Sequence, residues 1–205
     1  MHKHKFSELE IAGVYRAIAE RRDMRHFTQQ AVDEKILFKL LNAAHQAGSV
    51  GLMQPWRFIR ITDNTRRKQI HQLVETERQF TAEALGERQD DFMQLKVEGI
   101  LECAELLVVA LPNHREKHIF GRRTLPEMDI ASTACAIQNM WLAARAEGLG
   151  MGWVSLFDPK KLGALLSMPE GSQAIALLCL GHVEAFYSKP MLELENWAQG
   201  RQLSE

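Results

Sequence analysis

The sequence predicts one domain in which α-helices are interleaved with buried β-strands, helix being the commoner. Two patterns predict it. Apolar residues recur at helical spacing in several segments, and between them lie short, continuous apolar runs of the kind that sheets bury on both faces. A third observation sets the domain count. The 205 residues contain no internal repeat, no low-complexity tract and no Pro/Gly/Ser-rich linker, so positions 1–205 read as a single unit.

Taken in order, residues 7–21 predict an opening helix with Ile11, Val14 and Ile18 on one face. Asp33 can cap a second helix, where Ile36, Leu37, Leu40, Leu41 and Ala44 make an apolar stripe. Residues 57–62 (RFIRIT) are rich in β-formers and read as a strand. From 64 to about 99 the chain is helical, strongly charged and weakly patterned, which suits a covering segment. Residues 104–111 (AELLVVAL) read as a strand buried on both faces. Residues 128–147 predict a long helix stopped at Gly148, with Ile130, Ala134, Ile137, Trp141 and Ala144 on one face. Apolar residues fill much of its remainder, so it belongs in a core or a subunit interface. Residues 150–157 (GMGWVSLF) read as a strand entered through glycines. Asp158-Pro159 then opens a helix with a capping residue and a first-turn proline, and 174–183 is another buried strand. The tail from 190 has few apolar residues and is expected to wrap over the surface or onto a partner.

Composition narrows the function classes. Apolar residues at 46% and charged residues at 25% fit a globular chain. A net charge of −1 removes the electrostatic case for general nucleic-acid binding. No apolar stretch is long enough for a membrane span, and no apolar signal region follows the charged start, so a cytoplasmic protein is expected. Cys103, Cys135 and Cys179 form no CxxC pattern, and each, lying in an apolar run, is expected to be a small buried hydrophobe. The histidines make no HExxH-like array, so no metal site is expected.

Three segments could carry chemistry. Arg21-Arg22-Asp23-Met24-Arg25 can clamp a phosphate, or it can be a solvated basic patch relieving a helix dipole. Asp23 is odd in a pure anion site and suggests a partner to the arginines or a base with its own task. The loop 46–56 holds Gly48, Ser49, Gly51 and Gln54 before Pro55-Trp56. It can let backbone approach a flat ligand, and an ordinary helix-to-strand connection explains it about as well. Residues 148–155 place alternating glycines before Ser155, either for close approach or as structural glycines with an incidental serine. They are no dinucleotide fingerprint, because they follow a helix and precede a strand, and Gly-x-Ser-x-Gly is absent.

Together and in this order, these segments resemble the FMN-dependent nitroreductase-like superfamily. RRDMR, HQAGSVGLMQPW, LKVEGI, QNMWLAARAEGLGMGWVSLF and CLGHVE are similar to its 5,6-dimethylbenzimidazole synthase branch, over residues 14–201. General nitroreductases usually carry serine where Asp23 stands and asparagine where Leu52 stands. The synthase branch resembles this chain at both. The chain departs from that branch at Gly48, where proline is more usual, and in a shorter C-terminus.

The resemblance implies an α+β fold, a mixed sheet sandwiched by helices, and a homodimer joined through long helices with a flavin site in each intersubunit cleft. It implies that reduced FMN is both cofactor and substrate. With dioxygen it would be fragmented to 5,6-dimethylbenzimidazole, the lower ligand of cobalamin, the reduced flavin coming from a separate flavin reductase or from direct reduction. Arg21, Arg22 and Arg25, with Met24 in the same run and Arg201 from the tail, would hold the phosphate end, and Ser49 and Gln54 would meet the ring. Asp23 would be the general base toward the ribityl chain, and Ser155 would hydrogen-bond beside the ring. Residues 81–99 would form a lid, and 190–205 a tail reaching the partner subunit. Two other readings stand beside it: an NAD(P)H-dependent nitroreductase or quinone reductase that recycles FMN, and a non-catalytic flavin carrier.

Overall fold

The strand that the sequence marks most plainly organises the fold. In a computed structural model, which describes residues 4–201, β2 (Glu105–Leu111) is buried along its whole length. Its side chains alternate between two cores, Leu107 and Val109 to one and Leu106 and Val108 to the other. β4 (Gln173–Gly181) divides likewise, Leu178 and Leu180 against Leu177 and Cys179. β1 (Arg57–Arg60) and β3 (Gly150–Val154) flank this pair in the order β1-β2-β4-β3. The α+β class is as expected. All three strand pairings are antiparallel, and the parallel component of the sheet is an isolated bridge between Asp23 and Met151.

Helices cover both faces. α2 (Glu34–His45) and α5 (Met128–Ala146) pack on the first, through Leu37, Leu40, Ile137, Met140 and Trp141. α3 (Asn64–Ala84) and α6 (Pro159–Leu165) pack on the second, through Ile70, Val74 and Leu162. The caps are those the sequence offers. Asp33 accepts from the Lys35 N–H at 2.7 Å, and Asp158 from those of Lys160 and Lys161 at 2.8 and 3.1 Å. Gly148 stops α5 at φ +76°, a left-handed conformation that costs glycine little. β3 ends earlier than expected. The Phe157 N–H donates to the Ser155 carbonyl at 3.1 Å and turns the chain, which leaves Ser155 just beyond the strand.

α1 (Glu8–Glu20) is started by a capping box between Ser7 and Glu10, yet it buries no residue. Val14 and Ile18 on its apolar face are each 51% exposed. The layer above the sheet is already filled by α2 and α5, so α1 leans on α5 alone among the helices and its apolar face points outward. α5 has a similar second face, where Ile130 and Cys135 are exposed. The expectation that all three cysteines are buried therefore fails at Cys135, which lies on the side of α5 turned from the sheet, and holds at Cys103 and Cys179.

Beyond α3 the chain makes a tight turn and α4 (Gln89–Gln94), and Ala82, Phe92 and Leu95 form a small separate core. The tail carries α7 (Met191–Leu194) and packs on its own chain, Trp197 against Phe92. Positions 202–205 of the expected tail lie outside the described residues. Among the described residues no helix is long and apolar enough to cross a membrane.

Asp129, in the first turn of α5, ties down the preceding connection. It is 3% exposed and accepts from Arg115 Nε at 3.0 Å and from Arg122 Nε and Nη2 at 2.8 and 2.9 Å. Burial pushes its carboxyl up, but the bonds from Arg122 and Arg115 outweigh that and hold it below its ordinary value. A carboxylate with a depressed folded pKa stabilises above its unfolded value, and that stabilisation is lost as pH falls through the folded one. Asp129→Asn should cost about 2 kcal/mol, less than for a deep pair because the arginines lie near the surface. Thermal unfolding should show a fall in Tm at neutral pH that narrows in acid.

Candidate active site

β3 is an edge strand, so its outward amides need partners. Residues 23–25 provide them. The Met24 N–H donates to the Met151 carbonyl at 3.0 Å. The Trp153 N–H donates to Asp23 Oδ1 at 2.9 Å, and Arg25 Nη2 donates to the Trp153 carbonyl at 3.0 Å. Arg25 Nη2 also donates to Asp23 Oδ2 at 2.6 Å, closing the junction. A carboxylate and a guanidinium thus stand where the next strand would be.

The glycines of β3 make this possible. A Cβ on Gly152 would lie 2.2 Å from the Met24 carbonyl oxygen and 2.6 Å from Arg25 Nη1. One on Gly150 would lie 3.1 Å from the Met24 side chain. The arginine run thus fills the space at Gly152 and shares that at Gly150 with Val183, whose Cγ1 would lie 2.5 Å away. At Gly99 a Cβ would meet the Phe27 ring at 2.5 Å and the Arg25 carbonyl oxygen at 2.8 Å.

The arginines do not share one role. Arg25 is 7% exposed and committed to Asp23 and Trp153, so it differs from an open clamp residue. Arg21 caps α1, and its guanidinium lies 4.4 Å over the Trp141 ring. Arg22 donates to the carbonyls of Ala19, Arg21 and Ser188. Met24 is buried. Asp23 keeps 39% of its side chain accessible although protein crowds it on its other sides. Burial raises its proton affinity, against the pull of Arg25, the Trp153 N–H and Arg21.

Ser155 is exposed, two residues past the amide that grips Asp23, so both lie along the open end of β3. Among the described residues its N–H has no backbone partner. The loop before β1 is a built structure. The Ser49 hydroxyl accepts from the Gln54 N–H at 3.0 Å, and the Val50 N–H donates to the Ser132 hydroxyl on α5 at 3.2 Å. Leu52 and Gln54 hold left-handed φ values of 53° and 46°, a conformation that costs non-glycine residues energy and gathers at functional loops. Leu52 is 80% exposed. Gln54 Nε2 donates to the His45 carbonyl at 3.3 Å. Arg201 is exposed and makes no ion pair among the described residues, and nothing joins it to residues 21–25. A cavity of about 850 Å³ runs beside α6, and one of about 470 Å³ is lined by Met24 and Tyr187. Neither includes Asp23 or Ser155, whose edge is open in the single chain.

The sequence pattern of the nitroreductase family matches residues 18–182. The chain belongs to that family. It is 41% identical to a 5,6-dimethylbenzimidazole synthase of Rhodospirillum rubrum, over 88% of this chain and 87% of the relative. It is 36% identical to a protein of the same name from Rhodobacter capsulatus, over 87% of each. Among solved structures it is similar to an iodotyrosine deiodinase bound to FMN and 3-iodo-L-tyrosine, with a TM-score of 0.74 at 20% identity, covering 94% of this chain and 97% of that one. It is also similar to nitroreductase A of Vibrio parahaemolyticus, with a TM-score of 0.67 at 22% identity, covering 94% and 77%. These structures share its fold.

For a nitroreductase-family chain the fit to a flavin can be tested on its own cations. Among the described residues Arg21 and Arg22 pair with no carboxylate, and Arg22 Nε is buried without a hydrogen-bond partner. Cationic donors left uncompensated by the chain suit an anionic phosphate. Sequence reasoning missed two residues that position them. The Trp141 indole N–H donates to the Arg22 carbonyl at 3.1 Å while its face carries Arg21, and the Trp153 backbone grips both Asp23 and Arg25. Apolar spacing marked Trp141 only as core, and backbone contacts leave no sequence signal. His71, Glu75 and Glu98 bring ligand-type atoms within 4.8 Å of one another. Arg78 already stands 3.5 Å from Glu75, and His71 3.6 Å from Glu98, so the group is an ion-pair cluster.

Gly152→Ala should force Met24 and Arg25 off β3. The expected result is a Tm lower by about 5 °C, in line with a 1–2 kcal/mol packing clash, together with loss of FMN binding by fluorescence titration.

Proposed function

We propose that this chain converts reduced FMN and dioxygen to 5,6-dimethylbenzimidazole, the lower ligand of cobalamin. The observation that carries the reading is Asp23, a carboxylate with raised proton affinity fixed inside a phosphate-binding run and beside the end of β3 that presents Ser155. A reductase that only recycles flavin has no use for a base beside the phosphate run. The relatives of the same name at 41% and 36% identity support the reading.

Reduced FMN supplies both the electrons passed to dioxygen and the carbon skeleton of the product. The chain's residues bind, orient and move protons. Arg21 and Arg22 hold the phosphate, with Trp141 fixing both, and this binding energy keeps the ribityl chain in a reactive pose. Arg25 takes a supporting place, holding Asp23 by Oδ2 while the Trp153 N–H holds Oδ1. Each carboxylate oxygen keeps a free lone pair, and one accepts a proton from the ribityl chain. Ser155 hydrogen-bonds beside the ring. Ser49 shapes the loop, and Gln54, its Nε2 occupied by His45, turns Oε1 to the ring. Residues 81–99 exclude water, and Arg201 of the tail adds a cation for the phosphate. Reduced FMN comes from a separate reductase or from direct reduction.

A second copy completes the site. Tyr15 at 68%, Phe38 at 72%, Leu52 at 80% and Phe120 at 83% exposure are large apolar side chains left open, the kind of surface a partner covers. A homodimer joined through α1 and the outer face of α5 covers it and turns the open edge of β3 into a cleft.

Excess chemically reduced FMN in air should yield 5,6-dimethylbenzimidazole, identified by mass; flavin recovered intact removes the reading. Asp23→Asn should bind FMN with an affinity within about threefold of the parent while product falls at least about 100-fold, the usual weight of a general base. Because the base acts ionised and burial raises its pKa, activity should fall as pH drops, with an acid limb above the ordinary carboxylate value. Val14→Glu with Ile18→Glu should give a monomer by light scattering that no longer retains FMN.

A further inference from the structure

We propose that Trp197 is a positioning residue for the Ser155 end of the site, acting through the helical segment before β2. The proposal rests on the role given to Ser155 above. The Arg88 guanidinium lies 3.5 Å over the Trp197 ring, and Arg88 Nη2 donates to the Trp197 carbonyl at 3.0 Å. The Phe92 ring is 6.0 Å from the Trp197 ring. Phe92 belongs with Ala82 and Leu95 to the small third core, and Met93, Val97, Leu156 and Trp197 pack against that core. Leu156 is the neighbour of Ser155. A continuous set of contacts therefore runs from the tail, through α4, to the residue beside Ser155.

The segment depends on such contacts. α4 has six residues, too few to persist by its own hydrogen bonds. Its far end is fastened by Arg78 Nη2, which donates to the carbonyls of Met93 at 2.6 Å and Leu95 at 2.9 Å. Arg88 and Phe92, at its near end, are held by Trp197. Trp197 is fixed in turn, since its N–H donates to the Leu192 carbonyl at 2.8 Å and the Gly200 N–H closes the tail on Glu193 Oε1 at 3.1 Å. Trp197 touches neither Asp23 nor the arginine run, so its removal loosens one end of the site and leaves the phosphate end in place.

The test compares the full-length chain with Trp197→Ala and Trp197→Phe by two readouts. One is amide hydrogen exchange over residues 86–97. The other is the share of reduced FMN that becomes dimethylbenzimidazole. Reduced FMN that escapes fragmentation passes two electrons and two protons to dioxygen, giving oxidised FMN and hydrogen peroxide, so peroxide counts the loss. Trp197→Ala should raise exchange over 86–97 about 10-fold, as for loss of one anchor of a locally opening unit. It should move yield from product to peroxide while FMN affinity is unchanged. Trp197→Phe, which keeps a ring for Arg88 and Phe92, should restore both readouts. Unchanged exchange in Trp197→Ala overturns the proposal, as does raised exchange with unchanged yield, or a phenylalanine variant that behaves like alanine. The exchange measurement needs no turnover, so a parent chain that makes no product overturns the function alone.

Discussion

An edge strand must satisfy the amides it turns away from its sheet, and in this chain the partner is a five-residue turn instead of a strand. Asp23, Met24 and Arg25 meet three successive polar groups of β3, two by side chain and one by backbone. Most of the site follows from that junction. It fixes where α1 ends, because Arg21 is both its cap and the first residue of the turn. It puts the free arginines beside Trp141, and it brings Asp23 to the strand whose next exposed residue is Ser155. The approach is close enough that Gly99, Gly150 and Gly152 have no room for a side chain. A single added carbon on Gly152 would oppose all of these together.

The same junction lets one carboxylate hold the chain together and still favour a proton. A buried acid is raised by lost solvation and lowered by cations and donors. At Asp23 the first effect wins, although Arg25 and the Trp153 N–H both pull the other way. Asp129 carries similar partners and goes in the opposite direction, since Arg115 and Arg122 together outweigh its burial. The contrast separates a carboxylate built to stay ionised as an anchor from one that retains appetite for a proton. Both are aspartates held by arginine, and the number and aim of the donors decide between them.

The layers above the sheet explain why α1 keeps an exposed apolar face. α2 and α5 use up the apolar face offered by β2 and β4, which leaves α1 with a patterned apolar face and no core to fill. The outer face of α5 and the residues Leu52 and Phe120 also carry exposed apolar side chains.

Local sequence determined the caps at Asp33 and Asp158, the stop at Gly148 and the buried strands, because each depends on residues within a turn or on side-chain alternation. Through the order of its motifs it also determined the family. Tertiary structure decided what those motifs do to one another. The β3 glycines read either as room for close approach or as structural glycines, and folding gave the room at Gly152 to Met24 and Arg25. Arg25 read as an open phosphate clamp and became the holder of Asp23, while Trp141 read as core and became the platform for Arg21 and Arg22. Cys135 and the apolar face of α1 read as buried and lie outside. Apart from the Asp23–Arg25 pair itself, the deciding contact joins residues more than a hundred positions apart or depends on a layer already being full. Spacing along the chain carries no record of either, since only the packed sheet brings position 23 against position 153.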